Sequence, residues 1–438
     1  MPGITEGVRM IWLAGAVIFF VGLMLSIALH ELGHLSFAKL FGVRTTQYMV
    51  GFGPTMWSRH KGETEYGVKW VPFGGYIRMI GMLPPRKEDA PGRVRRLTTG
   101  PFQGLIDSAR GAALEEVRPS DGNRVFYAKP WWQKLLIMTG GPAMNILLAM
   151  VFFGVVLMGF GAFEAKTTVS AVNACVLPAN VQQDCNSPQA QPGPAAQAGI
   201  RPGDTFVSFG ATKVKNGDQL RDLIRGSAGK TVPIVVKRDG QAVTLTLHPI
   251  PNQVQSDTDP NKLQTVGFLG VVFERARTPQ GPGAVWDQMT FMATRTVTAL
   301  VHLPEKMVGV AKAAFGAERD PNGPVGIVGV SRIGGEIAAA PAPTSDKIAE
   351  FLGLLASFNF AIGVFNLIPL LPLDGGHIAG ALWEGVKRGF ARIARRPDPG
   401  HVDVAKALPL AYGMAAILVV MGVLLAYADV VNPIRIGG

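Results

Sequence analysis

Residues 11–34 read I-W-L-A-G-A-V-I-F-F-V-G-L-M-L-S-I-A-L-H-E-L-G-H, an uncharged run that ends in His30, Glu31 and His34. A membrane-spanning helix needs about 20 mostly apolar residues. Two histidines four residues apart lie on one face of a helix, so both imidazoles can reach one metal ion. Glu31 lies beside that face and can take a proton from water on the metal. The stretch therefore predicts a helix that carries a zinc centre at membrane depth, where polar groups are costly unless they serve a purpose.

Three further stretches contain no Lys, Arg, Asp or Glu, and these are Leu135–Phe163, Phe351–Leu373 and Ala407–Tyr427. Only 17% of the 438 residues are charged, against about 25% in soluble domains. Buried helices of a large soluble protein are the alternative, but such helices rarely lack charge over this length. We therefore predict a polytopic α-helical membrane protein with about four transmembrane helices, the first of which is retained rather than removed as a signal peptide.

Charge predicts the topology. Residues 44–134 carry 15 Lys/Arg against 8 Asp/Glu, residues 378–406 carry 6 against 3, and residues 164–350 carry 18 against 16. The positive-inside rule places the first two regions in the cytoplasm, with the central region and both termini outside. Cytoplasmic loops that face anionic lipid account for the net charge of +11. No basic run with interleaved aromatic residues suggests a nucleic-acid partner.

The predicted segments follow from these boundaries. They are a first transmembrane helix at 1–43, a cytoplasmic membrane-associated β-hairpin and polar loop at 44–130, a second transmembrane helix at 131–163, an extracytoplasmic domain at 164–280, an amphipathic helix and Gly-rich connector at 281–349 (irregular over 323–335), a third transmembrane helix at 350–377, a cytoplasmic loop at 378–406, and a fourth transmembrane helix at 407–428.

Residues 45–82 alternate short apolar runs with turns, which is typical of strands. The turns are Gly-Phe-Gly-Pro at 51–54 and Pro-Phe-Gly-Gly at 72–75. We predict a β-hairpin that enters the membrane where protein covers it. Gly74 and Gly75 are candidate substrate-binding residues, because a strand edge can pair with an unwound peptide.

The two cysteines, Cys175 and Cys185, fall in the region predicted to lie outside, where disulfides persist. Their spacing is too wide for a C-x-x-C metal site. A disulfide that closes a short loop and a pair of free thiols both remain open.

Catalytic zinc needs a third protein ligand and an open coordination position. The third uncharged stretch ends in N-L-I-P-L-L-P-L-D-G-G-H at 366–377. Asp374 is the first acid after 23 uncharged residues, and the neighbouring prolines and glycines allow it to turn inward. We prefer Asp374 to the rival His377, because a carboxylate offsets the charge of zinc at membrane depth.

An attacked peptide bond develops an oxyanion, which needs hydrogen-bond donors. Three asparagine amides, those of Asn145, Asn359 and Asn366, fall within the uncharged stretches. Asn366 is nearest to Asp374 in sequence and is the leading candidate. Helix–helix packing is the alternative role for Asn145 and Asn359.

These motifs together resemble the site-2 protease family of intramembrane zinc metalloproteases. H-E-L-G-H matches that family's H-E-x-x-H, and the run at 366–377 matches its N-x-x-P-x-x-x-L-D-G-G. G-P-A-M-N at 141–145 resembles its G-P-x-x-N element, and P-A-A-Q-A-G-I-R-P-G-D at 194–204 resembles the start of its PDZ domain. Within the RseP-type branch the chain is similar to the single-PDZ actinobacterial members, since it has room for one PDZ domain and not two.

The resemblance implies one zinc ion per chain and a single extracytoplasmic PDZ domain. It implies cleavage of single-span membrane proteins, such as anti-sigma factors already trimmed by another protease, or of remnant signal peptides, with peptide ends bound in the PDZ groove. The predicted site then comprises metal ligands His30, His34 and Asp374, general base Glu31, oxyanion donor Asn366, and substrate-binding Asn359, Asn145, Gly74 and Gly75.

Two other functions fit parts of the sequence. A non-enzymatic membrane receptor or scaffold would work through its PDZ domain and would not need Glu31. A metal transporter would use intramembrane His and Asp residues, but transporters usually show internal repeats, and the sequence shows no long repeat.

Overall fold

The computed structural model describes residues 6–85, 103–176, 185–186, 191–255, 263–321 and 323–434. The chain divides into two compact units, one made of Met1–Val156 with Gly281–Gly438 and the other of Leu157–Gln280. We refer to them as the first and second units.

The first unit is mainly helical. Among the described residues, four helical segments are long and apolar enough to cross a membrane, namely Glu6–Leu40, Trp131–Phe160, Thr344–Asn366 and Val404–Val431. Its elements are α1 (Glu6–Leu40), β1 (Thr45–Lys61), β2 (Thr64–Met79), α2 (Gln103–Glu115), α3 (Trp131–Gly154, followed by a π-helical turn over Val155–Phe160), α6 (Pro282–Val301), α7 (Leu303–Ala314), α8 (Ile327–Ala339), α9 (Thr344–Asn366), α10 (Asp374–Ile393) and α11 (Leu408–Val431).

Glycines bring the central helices together. A Cβ on Gly33 of α1 would lie 2.2 Å from the Gly140 carbonyl oxygen of α3, and a Cβ on Gly140 would lie 2.6 Å from the Gly33 carbonyl oxygen. The two backbones are therefore in direct contact at this crossing, as small residues permit in membrane helices. This contact places α3 against the turn of α1 that carries His34.

The prediction that residues 323–335 are irregular is wrong for residues 327–335, because α8 runs over Ile327–Ala339. Its glycines face neighbouring helices instead of breaking the helix. A Cβ on Gly334 would lie 2.7 Å from Phe19 Cβ of α1, and a Cβ on Gly15 would lie 2.3 Å from Ala338 Cβ. Close packing against α1 therefore outweighs the low helix propensity of glycine.

A buried ion pair fixes the start of α8. Arg319 and Asp429 of α11 approach to 2.6 Å, with side chains 4% and 1% exposed. Asp429 Oδ2 accepts hydrogen bonds from the backbone N–H groups of Gly326 and Gly329 at 2.8 and 2.9 Å. A carboxylate at a helix N-terminus is favourable, so Asp429 ties the fourth apolar helix to α8.

The predicted third transmembrane helix and the loop after it also differ from the structure. Helix α9 ends at Asn366, and a second helix, α10, occupies much of the predicted loop at 378–406. Pro369 and Pro372 cannot continue a helix, whereas Asp374 is favourable in the first turn of a new one. The predicted polar loop likewise contains α2, while its residues 86–102 lie outside the described part of the chain.

The β-hairpin pairs β1 with β2 in two registers. Tyr48 lies opposite both Ile77 and Tyr66, so the first half of β1 has β2 on either side. The Tyr48 hydroxyl donates to the Ala28 carbonyl of α1 at 2.7 Å. The hairpin is thereby docked two residues before His30.

The second unit is built on a six-stranded sheet with the order β12-β3-β6-β8-β9 and β7 beside β6. Phe206, Leu220 and Ile234 lie in its core. Its elements are β3 (Ala162–Val172), β4 (Cys175–Val176), β5 (Gln191–Pro192), α4 (Pro194–Gln197), β6 (Thr205–Phe209), β7 (Thr212–Lys213), α5 (Gly217–Arg225), β8 (Val232–Arg238), β9 (Gln241–Leu247), β10 (Ile250–Gln255), β11 (Leu263–Phe268) and β12 (Val271–Thr278).

Two links stabilise the second unit. A disulfide joins Cys175 to Cys185, which is the first of the two possibilities that the sequence left open. Arg238 donates to both carboxylate oxygens of the buried Asp204, at 2.8 and 2.7 Å. These hydrogen bonds hold the pKa of Asp204 below its usual value.

Candidate metal centre

The structure brings three buried donor atoms together at the end of the first apolar helix. His30 Nε2 and His34 Nε2 lie 3.3 Å apart, one turn from each other on α1. Oδ2 of Asp374, the first residue of α10, lies 3.3 Å from His30 Nε2 and 3.2 Å from His34 Nε2. Asp374 is thus adjacent to the histidines although more than 300 residues separate them in sequence.

This triangle fits a zinc ion. Tetrahedral zinc with bonds of about 2.0–2.1 Å to nitrogen and oxygen has ligand atoms about 3.3–3.4 Å apart. The observed sides of 3.2 to 3.3 Å agree with that geometry. Asp374 Oδ2 is buried without a conventional hydrogen-bond donor among the described residues. Three lone pairs at this spacing repel one another unless a cation lies between them.

Helix α3 orients His34. Its Ile137 carbonyl lies 2.8 Å from His34 Nδ1. A carbonyl accepts only from a protonated nitrogen, so this bond places the proton on Nδ1 and leaves the Nε2 lone pair for a metal. Gly141 of the same helix lies against the histidines, since a Cβ there would be 2.3 Å from His34 Nε2 and 2.6 Å from His30 Nε2.

Glu31 faces the β-hairpin. A Cβ on Gly75 of β2 would lie 3.0 Å from Glu31 Cγ and 3.1 Å from the Met49 carbonyl oxygen. The neighbouring Gly74 has φ of +92°, a conformation that side chains disfavour. Both predicted hairpin glycines therefore sit where larger residues would disturb either the strand or Glu31.

Among the described residues, the metal-type cluster, a group of side chains that could hold a metal ion, contains His30, His34 and Asp374 but not His377. His377 lines a small cavity next to Lys134 of α3 and Glu384 of α10. Lys134 Nζ and Glu384 Oε2 form an ion pair of 2.8 Å whose side chains are only 7% and 2% exposed. This pair ties the helix that begins with Asp374 to the helix that contacts His34.

The three asparagines have different surroundings. Asn366 is partly exposed, and its Nδ2 donates to the Ile362 carbonyl at 3.2 Å. Asn359 is fully buried, and its Nδ2 donates to Ser26 Oγ of α1 at 2.9 Å. Asn145 is also fully buried and has no hydrogen-bond partner among the described residues. Asn359 and Asn145 thus occupy helix interfaces.

Sequence reasoning missed the parts played by Ile137, Gly141 and Ser26. A backbone carbonyl leaves no trace in residue identity, so Ile137 carried no signal. The Gly-Pro pair at 141–142 was visible as part of a family-like element. Its contact with both histidines could not be inferred without knowing that α1 and α3 cross at Gly33.

Comparison with known proteins agrees with this architecture. The family model for peptidase family M50 matches residues 18–395. The zinc metalloprotease Rip1 of Mycobacterium tuberculosis strain H37Rv is 35% identical over 98% of this chain and 100% of that protein. Rip1 of Mycolicibacterium smegmatis is 30% identical, covering 96% of this chain and 98% of that protein. Metalloprotease MmpA of Caulobacter vibrioides is 29% identical, covering 85% of each.

The chain belongs to peptidase family M50. It is a membrane-associated zinc metalloendopeptidase of the site-2 protease type with Zn²⁺ as its cofactor, as the sequence predicted. Membership of this family implies membrane-protein substrates.

Proposed function

We propose that this protein cleaves the membrane-embedded segment of single-span membrane proteins, with His30, His34 and Asp374 holding zinc. The observation that carries the proposal is the triangle of donor atoms with sides of 3.2 to 3.3 Å at the end of an apolar helix. Two imidazoles and one carboxylate leave the fourth tetrahedral position for water or substrate, as in other catalytic zinc sites.

Zinc held by His30, His34 and Asp374 would supply Lewis acidity and would make water acidic enough to lose a proton near neutral pH. Glu31 acts as the general base, takes the proton from the attacking water, and delivers it to the departing amine. The hydrogen bond from His34 to the Ile137 carbonyl keeps that imidazole in the tautomer and orientation that ligation requires. Positioned proton transfer of this kind contributes roughly 10²–10⁴-fold to a rate.

Asn366 is the proposed oxyanion donor. It lies at the last turn of α9, eight residues before Asp374, and its side chain is partly exposed. Its hydrogen bond to Ile362 is within its own helix and can be exchanged for one to substrate by a side-chain rotation. Buried Asn359 is proposed to act on substrate indirectly, because its amide holds α9 against α1 through Ser26. Asn145 is proposed to act at the contact between α3 and α9, where a Cβ on Gly363 would lie 3.5 Å from Asn145 Cβ.

The hairpin is proposed to present the substrate. A peptide bond within a helix is shielded by its own hydrogen bonds, so the substrate segment must unwind before attack. The edge of β2 at residues 75–79 pairs with β1 on one side, and no further strand pairs with it in the described residues. That edge passes Glu31 and can add an extended peptide as a new strand. A cross-link from a cysteine at Ile77 to the scissile segment of a bound substrate tests this step.

The second unit is proposed to be a PDZ domain on the extracytoplasmic side, with residues 44–130 and 378–406 in the cytoplasm. The outer edge of β12 has no strand partner among the described residues, and strand addition there would capture a peptide end or exclude bulky substrates. The disulfide between Cys175 and Cys185 supports an outside location, because disulfides persist in oxidising compartments.

One assay separates proteolysis from the scaffold alternative. The protein or its Glu31→Gln form is expressed with candidate single-span anti-sigma factors already trimmed outside, and the released cytoplasmic fragment is measured. We expect release with the native protein and none with Glu31→Gln at equal expression. A scaffold that works through its PDZ domain would give the same phenotype with both forms.

A further inference from the structure

Helix α10 has one face inside the protein and one outside. Ala381, Glu384 and Ala391 are buried against the first unit. The opposite face exposes large apolar side chains in successive turns, namely Leu382 (46%), Trp383 (58%), Val386 (60%), Phe390 (64%) and Ile393 (85%). We call these five residues the α10 apolar stripe.

Basic residues flank the stripe. Residues 385–397 contain five Lys or Arg and no Asp or Glu. Arg388 turns inward and pairs with Glu384 at 3.0 Å. At 100° per residue, Lys387 and Arg392 project to either side of the stripe, and Arg395 and Arg396 follow at its end. An amphipathic helix with Trp and Phe on one face and Lys and Arg beside them is typical of a helix that lies in a membrane interface.

The positive charge of α10 indicates which molecule binds its exposed face. A second copy of the chain would bring four further positive charges against Lys387, Arg392, Arg395 and Arg396, which is unfavourable. Anionic phospholipid headgroups complement them, and the acyl region accepts the apolar stripe. Asp374 is the first residue of α10. The preceding helix α9 is long and apolar enough to span the bilayer.

We propose that the part of α10 from Leu382 to Ile393 lies in the headgroup region of one leaflet, binds anionic phospholipids through Lys387, Arg392, Arg395 and Arg396, and thereby sets the depth of Asp374 in the bilayer. The inference rests on the proposed zinc-binding role of Asp374 only for its last clause. The lipid contact follows from the helix alone.

A rigid path connects the lipid contact to the site. Asp374 is the first residue of α10. The buried ion pair between Glu384 and Lys134 fixes α10 to α3, and Ile137, one turn further along α3, accepts from His34. A shift of α10 relative to the membrane surface therefore moves the ligand triangle relative to the substrate segment.

The test uses the full-length protein in lipid nanodiscs. Phe390→Cys carries a polarity-sensitive fluorophore, since both native cysteines are in a disulfide. Discs contain either phosphatidylcholine alone or phosphatidylcholine with phosphatidylglycerol, and spin-labelled lipids quench the fluorophore at the interface. Each basic residue near the membrane surface increases the preference for the anionic over the neutral lipid roughly fivefold. Replacement of Lys387, Arg392, Arg395 and Arg396 by Gln should therefore abolish most of the difference between the discs.

A matched control removes the same charge elsewhere. Lys213, Lys215, Arg221 and Lys230 are exposed in the second unit, and their replacement by Gln should leave the quenching at position 390 unchanged. Cleavage of a membrane-embedded substrate should rise with phosphatidylglycerol in the native protein and not in the α10 variant.

The outcomes separate this inference from the proposed function. Lipid-dependent quenching without cleavage in any disc retains the lipid contact and rejects the protease. A fluorophore that remains in water in both discs overturns the inference. Energy transfer between labels on two copies also overturns it, because the stripe would then be a dimer interface.

Discussion

Gly141 offers the sharpest perturbation of the metal centre. In a Gly141→Ala variant the new methyl carbon would lie 2.3 Å from His34 Nε2, 2.6 Å from His30 Nε2 and 2.7 Å from His30 Cε1. Non-bonded heavy atoms are comfortable at about 3.5 Å or more. Either α3 or both imidazoles must therefore move by about 1 Å.

That movement exceeds what a zinc site tolerates. Metal–ligand distances must stay within about 0.2 Å of their ideal values, and the displaced atoms here are two of the three ligands. We expect the zinc dissociation constant of Gly141→Ala to rise at least about 100-fold, which corresponds to about 2.7 kcal/mol. The assay is competition with a calibrated chelator, together with the zinc content of the purified full-length protein.

Gly154, in the same helix, is the matched control. Nothing lies within 4 Å of the Cβ it would gain, and alanine raises helix propensity by up to about 1 kcal/mol. Gly154→Ala should therefore bind zinc as the native protein does. If Gly141→Ala binds zinc within threefold of the native affinity, the contact between α3 and the histidines does not constrain the metal centre.

Three other predictions follow from buried polar contacts. Lys134→Met should lower the free energy of unfolding, measured by thermal unfolding in detergent, by about 1–3 kcal/mol, because the buried Glu384 loses one cationic partner and keeps Arg388; a Lys134→Met variant as stable as the native protein would contradict this. The effects of Asn359→Ala and Ser26→Ala on the free energy of unfolding should be coupled by at least about 0.5 kcal/mol in a double-mutant cycle. Additive effects would show that the Asn359–Ser26 hydrogen bond does not hold α9 against α1. The pKa of Asp204 is lowered in the folded state, so its stabilisation is present above the ordinary value of 3.8 and is lost as the pH falls through the folded value. Protection factors for amide exchange in the second unit should therefore fall at acid pH in the native protein and fall less in Asp204→Asn.

The metal-type cluster could be predicted because its residue types and their spacing in the sequence are typical of a zinc site. His30 and His34 meet on one turn of any helix, and Asp374 stood out as the first acid after a long uncharged stretch. The choice between Asp374 and His377 rested on a charge argument, and in the structure Asp374 lies beside the histidines while His377 faces a cavity beside α3. The need of catalytic zinc for a third protein ligand supplied the expectation that Asp374 would meet the histidines, and the family resemblance implied the same three residues.

Glycine was the main source of error in the predicted fold. The same residue type breaks a helix in isolation and allows close packing in a bundle, and only tertiary contacts decide between the two. Gly334 therefore lies within α8 against Phe19, in a region we had predicted to be irregular. Helix α10 was not predicted for a different reason. Its buried face holds Glu384 and its exposed face is apolar, so its pattern is the reverse of a soluble surface helix.

X-ray absorption at the zinc K-edge of the full-length protein tests the central claim most directly. Our account predicts one zinc per chain with two imidazole nitrogens and oxygen ligands at about 2.0–2.1 Å, and loss of the carboxylate contribution in Asp374→Ala. A centre with three imidazoles, which would bring in His377, or an unchanged spectrum in Asp374→Ala would contradict the assignment of His30, His34 and Asp374 as the zinc ligands.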